Sequence, residues 1–278
     1  MTSRADTETV ISPATGVHPF RFSELWSFRE LLLQLVWRDV SVRYKQTALG
    51  LMWAVLNPVL MAVIFSIIFG IWARMPSGDI PYPLFFLAGI IPWTFFASAL
   101  ADVSNSLVSQ RALLTKVYFP RVITPLAATA VPLVDALVAI LVLLAATLLK
   151  GMVPSWHALW AVPLGLVWAW VSALGVGLCF SALNIKYRDV GQLVPFIVRV
   201  GMFASPVIYP LSMIPEKWQW LYGLNPVVGV IELTRWSMFS TVTPPNPALY
   251  GSVGISLFFL VLGAYMFRRM EATYADLV

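Results

Sequence analysis

The sequence predicts an all-α membrane protein with six transmembrane helices, an N-terminal amphipathic interface helix and two short re-entrant helices between spans five and six. Three observations support this fold class. The 278-residue chain is 59% hydrophobic and 11% charged, whereas soluble domains carry about 25% charged residues. Its apolar runs approach or exceed the roughly 20 residues that a helix needs to cross a bilayer. Its Lys and Arg residues collect at alternate ends of these runs, as the positive-inside rule requires.

The N-terminal region precedes the first apolar run. Residues 1–21 are polar and mixed in charge, which predicts a flexible cytoplasmic tail without a signal peptide. Residues 22–47 mix apolar positions with Trp26, Arg29 and other polar side chains. This pattern predicts an amphipathic helix in the cytoplasmic headgroup zone, with an ordinary helix packed on the protein body as the alternative. Residues 48–278 are predicted to form a single transmembrane domain.

Six apolar runs predict the spans. They cover residues 48–73, 84–101, 123–149, 159–183, 193–209 and 250–267. With this arrangement, 13 of the 18 Lys and Arg residues lie on the side of the N-terminus, four lie on the opposite side, and Arg199 lies in the membrane. The side richer in Lys and Arg is normally cytoplasmic, so both termini are predicted to be cytoplasmic.

The segment between the fifth and sixth runs contains two further apolar pieces. Both are shorter than a spanning helix, which predicts two short helices at the outer face within residues 215–240. Asn225 followed by Pro226 is typical of an N-cap and a first helical residue. Glu232 and Arg235 are spaced three residues apart, so they are predicted to form an ion pair on the polar side of the second helix.

Two charges fall inside predicted spans, Asp135 in the third and Arg199 in the fifth. A charge at a helix centre costs about 2.5–3.5 kcal/mol on insertion scales, so each is expected to face protein or water, never lipid. The two side chains are predicted at similar depth. A structural ion pair and a water-filled substrate path near Arg199 both satisfy this expectation.

Aromatic side chains recur with helical spacing on two spans. Phe65, Phe69 and Trp72 follow this spacing on the first span, and Phe196 and Phe203 flank Arg199 on the fifth. Such faces offer a rigid apolar surface on which sugar rings can slide. Ordinary lipid-facing or core positions are the alternative interpretation.

The fourth span carries a small residue at every fourth position. These residues are Ala161, Gly165, Ala169, Ala173, Gly177 and Ser181. Small residues let helix backbones approach closely in lipid. The stripe predicts either a packing face inside the chain or a seam between two copies.

Several catalytic motifs are missing from the sequence. It contains no GxxxxGK[ST], GxSxG or HExxH, and Cys179 is its only cysteine. His18 and His157 lie far apart, so no metal site is predicted. If transport by this chain is powered by ATP, a separate subunit must bind the nucleotide.

The inside loop over residues 109–121 is the predicted docking point for such a subunit. An apolar cluster in it is flanked by positive charge. The cluster contains Leu113, Leu114, Val117, Tyr118 and Phe119, and the flanking cations are Arg111, Lys116 and Arg121. A helix end that extends into the cytoplasm is the alternative interpretation.

Five blocks of the sequence, in order, carry a family resemblance. They are RDVSVRYKQTALGLMWAVLNP (38–58), LLTKVYFPR (113–121), NIKYRDVGQLVPF (184–196), SPVIYP (205–210) and GLNPVVGVIELTRW (223–236). From about residue 22 to its end, the chain resembles the permease subunits of ABC transporters that export O-antigen, teichoic acid or capsule polysaccharides. The resemblance implies a homodimeric permease in the inner membrane that works with two ATP-binding subunits.

The resemblance also implies roles for individual segments. Residues 111–121 would couple to the ATP-binding subunits, which would hold ATP and Mg, and no cofactor is expected on this chain. The two aromatic stripes would line the channel for a lipid-linked polysaccharide, most directly O-antigen. The short helices would gate its outer mouth through Trp218, Trp220, Tyr222, Pro226, Glu232, Arg235 and Trp236.

Two other functions are weighed against export. An ion-coupled secondary transporter would use Asp135 as a proton site, but the sequence lacks the internal repeat common in that class. An intramembrane glycan-processing enzyme would need paired carboxylates, and Asp102 and Asp189 lie on separate segments. No nucleic-acid partner is predicted, because the basic residues flank apolar runs instead of forming a patch.

Overall fold

Helices account for all the regular structure in the described part of the chain. The computed structural model describes residues 22–45, 50–114, 116–117, 119–187, 189–239 and 250–271, and the side chains of all of these except 22–24 and 271. The predicted tail over residues 1–21 lies outside the described residues, as does residue 240 at the end of the predicted outer helices. Among the described residues no strand is present, so the all-α prediction is confirmed.

The helices follow one another through short turns. The first part of the chain forms α1 (Phe22–Ser27), α2 (Arg29–Lys45) and α3 (Met52–Phe65), and α3 continues as a π-helix over Ser66–Trp72. The middle of the chain forms α4 (Tyr82–Ser109), α5 (Arg111–Leu114), α6 (Ile123–Ala128), α7 (Ala130–Leu149) and α8 (Ala158–Lys186). The last part forms α9 (Val190–Phe203), a 3₁₀ turn (Leu211–Met213), α10 (Glu216–Tyr222), α11 (Val228–Met238) and α12 (Gly251–Glu271).

Within the described part of the chain, five helical segments are long and apolar enough to cross a membrane, whereas the sequence predicts six spans. They are Met52–Trp72, Tyr82–Ser109, Ile123–Leu149, Ala158–Lys186 and Gly251–Met270. The predicted fifth span over residues 193–209 is represented by α9, which has 14 residues and ends at Phe203. Pro206 lacks a backbone N–H and disfavours helical geometry at Ser205, so the helix cannot continue. The Tyr209 hydroxyl donates to the freed Phe203 carbonyl at 3.0 Å.

The helix α4 forms the centre of the bundle. In its most apolar stretch 78% of the residues are buried, whereas the corresponding value for Met52–Trp72 is 11%. Helices α7, α8 and α11 pack around α4, and α3 and α9 lie against its sides. The bundle therefore has a well-packed core with α3 at its periphery.

The stripe of small residues on α8 lies inside this core. All six of its residues are buried. A Cβ atom added at Gly177 would lie 2.5 Å from Val103 Cγ1 on α4, and one added at Gly175 would lie 2.5 Å from the Leu260 backbone nitrogen on α12. Close helix approach within one chain explains the stripe, and the prediction of a seam between two copies is wrong for these residues.

The helix α2 lies across one end of the bundle, against α6 and α7. Leu35 on its inner face is 5% exposed and packs with Phe119 and Ile123. Trp26 and Trp37 are 71% and 68% exposed. One side of the α1–α2 region is therefore covered by the protein, and exposed tryptophans suit the headgroup zone of a membrane.

Replacing Gly175 with Ala is expected to destabilise the protein, because the new Cβ would push α8 and α12 apart. Overpacking of this kind costs about 1–3 kcal/mol, although Ala favours a helix more than Gly does. Gly254→Ala on α12 is the matched control, since no atom lies within 4 Å of the added Cβ. Thermal unfolding in detergent, followed by tryptophan fluorescence, should show a lower Tm for Gly175→Ala only. Equal Tm values for both variants would contradict the close contact.

Candidate functional site

The predicted coupling segment divides into a buried part and an exposed part. Phe119 is 4% exposed, and Leu113 and Leu114 pack with it against α1 and α2. Lys116 is exposed, and Val117 is 50% exposed. Most of the apolar cluster therefore holds the interface helix to the bundle, and less of it than expected is available to a partner.

The remaining residues of this segment lie around the same turn. Arg111 is exposed at the start of α5, and Arg121 is half-buried before α6. Tyr118 lies outside the described residues. The exposed surface of the segment is therefore predominantly basic around Val117, and we call Lys116 and Val117 the loop tip.

The aromatic stripe on the first span does not form a single open face. The Phe65 ring stacks on Phe86 of α4 with centroids 4.6 Å apart, and it stacks on Phe69 at 5.5 Å. Trp72, in contrast, is 75% exposed. Two of the three side chains expected to line a channel therefore contact the core of their own chain. Phe69 and Trp72 lie within the π-helix over Ser66–Trp72. A π-helix has more residues per turn than the α-helix that the prediction assumed, so the three side chains do not share one face.

The stripe on α9 is open along its length. Phe196 is 62% exposed, Phe203 is 56% exposed, and Arg199 between them is exposed. The opposite side of α9 is buried through Val190 and Val194 against the core. This face, which we call the α9 face, presents two aromatic rings and a cation with no hydrogen bond or ion pair to another described residue.

Asp135 is held by the end of α2 and not by Arg199. Arg43 Nη2 donates to Asp135 Oδ2 at 3.1 Å, and the Tyr44 hydroxyl donates to Oδ1 at 2.7 Å. Burial and this hydrogen bond raise the pKa of Tyr44, so the phenol remains a donor. The two intramembrane charges that the sequence singles out are therefore not partners. The contact instead joins α2 to α7 across 92 residues of sequence.

The two predicted outer helices exist but differ in burial. On α10, Trp218 and Trp220 are 52% and 58% exposed, and Tyr222 is half-buried. The Tyr222 hydroxyl lies 3.0 Å from that of Tyr209. On α11 most residues are buried against α4 and α8. Only the first of these helices therefore presents its side chains to the surface.

Arg235 fixes α11 in the core. Its Nη1 donates to Glu232 Oε1 at 3.1 Å, which confirms the predicted pair, and its Nη2 donates to the Val207 carbonyl at 2.9 Å. The guanidinium carbon lies 3.7 Å from the centre of the Phe85 ring. Gly89 leaves the necessary room, since a Cβ there would lie 2.7 Å from Nη2. The side chain is 2% exposed, so its predicted place on a polar outer face is wrong.

The start of α11 also differs from the prediction. The helix begins at Val228, two residues after Pro226. Asn225 Oδ1 accepts the Val227 N–H at 3.1 Å, and its Nδ2 donates to Ser205 Oγ at 2.8 Å. The amide therefore closes a turn and ties it to the segment after α9. At the other end Trp236 is half-buried, with its ring 4.6 Å from that of His157.

Sequence reasoning missed the long-range partners of these charges. Val207, Phe85 and Gly89 converge on Arg235 from elements remote in sequence, and no local pattern marks them. Within the described residues, no group of three or more His, Cys, Asp or Glu side chains is placed to bind a metal ion.

Comparisons with known proteins identify a family and several relatives. The profile of the ABC-2 type transporter family matches residues 30–239. The chain is 30% identical over 250 residues to the O-antigen export system permease protein RfbA of Klebsiella pneumoniae, which covers 90% of this chain and 95% of that protein. It is 27% identical over 256 residues to the RfbA protein of Myxococcus xanthus, covering 91% and 97% of the two chains. It is also 27% identical over 239 residues to the polysialic acid transport protein KpsM of Escherichia coli, covering 84% and 91%.

The family match spans most of the chain, from the second residue of α2 through α11, and leaves out α1 and the last span. The chain has several long apolar helices, and its family is one of membrane transporters, so it is a multi-pass membrane protein. The chain belongs to the ABC-2 type transporter family of membrane proteins.

Proposed function

We propose that this chain is the permease subunit of an ABC exporter that moves a lipid-linked polysaccharide, most directly O-antigen, across the inner membrane to the outer side. Relatives named for O-antigen export and for polysialic acid transport support this proposal over nearly their full lengths. The sequence carries no phosphate-binding GxxxxGK[ST] motif. ATP and Mg therefore belong to two copies of a separate ATP-binding subunit.

The α9 face is the observation that carries the proposal. It displays Phe196 and Phe203 on either side of Arg199 on a helix whose other side is buried. A charge left open to lipid is costly, so the face requires either water or a second protein surface. In a homodimer, a second copy would enclose this face and create a path with aromatic walls for sugar rings and a cation for anionic groups.

The proposed topology has six crossings with both termini cytoplasmic. The five long helices supply five of them, and α9 together with residues 204–210 supplies the sixth. At about 1.5 Å per residue, α9 alone is about 21 Å long and falls short of the roughly 30 Å hydrocarbon core. In this proposal residues 204–210 complete the crossing that α9 begins, and α10 and α11 then re-enter from the outer side.

We assign the outer gate to α10, which moves, whereas α11 stays in place beside it. Arg235 binds α11 to α4 and to the segment after α9, so α11 cannot shift without breaking a buried charged contact. The helix α10 has seven residues, none of them buried, and the hydroxyls of Tyr222 and Tyr209 link it to the neighbouring segment. Its exposed tryptophans would close the mouth in the absence of substrate.

The contact of Asp135 weakens the secondary-transporter alternative. The Asp135 carboxylate accepts hydrogen bonds from Arg43 and Tyr44 and so joins α7 to α2, which gives it a structural role that involves no proton transfer. Asp102 lies within α4 and Asp189 directly precedes α9, so the two carboxylates that the glycan-processing alternative names lie on separate elements.

Reconstitution in proteoliposomes with the ATP-binding subunit tests the proposed function. Export of the lipid-linked polysaccharide should require ATP hydrolysis and should persist when the proton gradient is dissipated. A partner subunit with its phosphate-loop Lys replaced is the control, and it should abolish export. Transport that continues without ATP and follows the proton gradient would overturn the proposal.

Val117→Asp is expected to uncouple the ATP-binding subunit, because it alters the exposed loop tip without entering the core. Export should fall by about tenfold, equivalent to about 1.4 kcal/mol, with little change in Tm. Phe119→Ala is the contrasting variant, since the loss of a buried Phe costs about 3–5 kcal/mol and should lower Tm. ATPase activity and export are measured in the same vesicles. Normal export by a correctly inserted Val117→Asp protein would remove the loop tip from the coupling surface.

A further inference from the structure

A cavity of about 410 Å³ lies between α3, α4 and α7, apart from the α9 face. Its lining includes Arg43 and Tyr44 at the end of α2 and Asp135 on α7. The volume lies within the range of about 300–1,000 Å³ that is usual for small-molecule sites. No role proposed above uses this space.

The cavity is polar at one end and apolar at the other. Helices α3 and α7 run away from α2, whereas α4 runs towards it. Ser98 on α4 therefore lies towards the polar end with Asp135, and Met61 and Ile90 lie towards the far end. Asn57 and Thr94 line the middle of the cavity. About eight residues separate the two ends on α3 and α4, a distance of about 12 Å along the helices. Such a gradient fits an amphiphile whose head lies at the membrane surface beside α2.

The polar end presents one cation and one carboxylate, both accessible. The side chains of Arg43 and Asp135 are 58% and 29% exposed. Both side chains therefore have part of their surface open to a ligand in addition to the contacts that they make within the protein. The end can therefore accept a ligand that carries both a positive and a negative group.

We propose that this cavity binds a zwitterionic aminophospholipid of the phosphatidylethanolamine class. The ammonium group binds the Asp135 carboxylate, the phosphate binds the Arg43 guanidinium, and the start of one acyl chain lies against Met61 and Ile90. Because the Met52–Trp72 segment has few buried residues, the lipid supplies contacts between it and the core that the protein itself lacks.

Asp135 makes the site selective. Basic pockets between membrane helices normally bind anionic lipids. Here an anionic phosphatidylglycerol, or a polyprenyl diphosphate, would place its phosphate beside a carboxylate without supplying an ammonium group. Repulsion of this kind is an effective way of rejecting a competing ligand.

Native mass spectrometry of the full chain tests the proposal. The protein is first delipidated and then placed in nanodiscs that contain equal amounts of dioleoyl-phosphatidylethanolamine and dioleoyl-phosphatidylglycerol. The wild-type protein should retain one phosphatidylethanolamine per chain in preference to phosphatidylglycerol. Asp135→Asn should lower this retention by about tenfold and abolish the preference, since one charged contact is worth about that factor. Asp39→Asn is the matched control, because Asp39 pairs with Arg38 on the same α2 helix and does not line the cavity.

Ser98→Leu provides a second variant that fills the cavity and leaves both charges in place. Ser98 is exposed, so the change is tolerated by the fold, and Tm confirms this. Retention of phosphatidylethanolamine should fall in this variant as well. The proposal is overturned if phosphatidylglycerol or a polyprenyl diphosphate is retained instead, or if all variants retain phosphatidylethanolamine equally. None of these readouts depends on transport, so they stand apart from the proposed export function.

Discussion

Close contact between helix backbones at small residues is the constraint on which the structure depends. Helices in lipid gain little hydrophobic free energy by touching, so van der Waals contact must hold them together. Gly175 and Gly177 bring α8 within contact of α12 and α4, and the most apolar stretch of α4 is thereby largely buried. The remaining helices are arranged around these three. As a result α3 and α9 lie at the edge, where their outer faces are available to lipid, water or a second copy.

A buried charge is the second constraint. Arg235 is only 2% exposed, and removing one partner of such a contact would leave an uncompensated charge or acceptor at a cost of about 3–5 kcal/mol. The contact joins α11, α4 and the segment after α9, so these elements form one unit at one end of the bundle. At the other end, the Arg43, Tyr44 and Asp135 contact joins α2 to α7. The protein thus uses polar contacts to fix its ends and small residues to fix its middle.

The sequence predicted the elements better than their surroundings. Apolar runs with no more than one charge defined α4, α7, α8 and α12, because length and composition alone decide whether a segment can span a bilayer. The Glu232–Arg235 pair followed from local spacing, but its burial depends on Phe85 and Val207, which no local pattern connects. The division of the coupling segment into a buried Phe119 and an exposed Val117 likewise depends on α2. The sequence could not reveal that Asp135 contacts Arg43 and Tyr44. A depth in the membrane that is estimated by counting residues along one helix ignores how far neighbouring helices are shifted along their axes.

In the proposed transporter, the α9 face lines a water-filled path. Thiol labelling of single-cysteine proteins tests it most directly, in a Cys179→Ser background in cell membranes with the partner subunits present. Phe196→Cys is compared with Leu141→Cys on α7, because the two side chains are 62% and 64% exposed in one chain. A water-soluble maleimide should react much faster at position 196 than at position 141, where only lipid is expected. Equal, slow reaction at both positions would contradict the account.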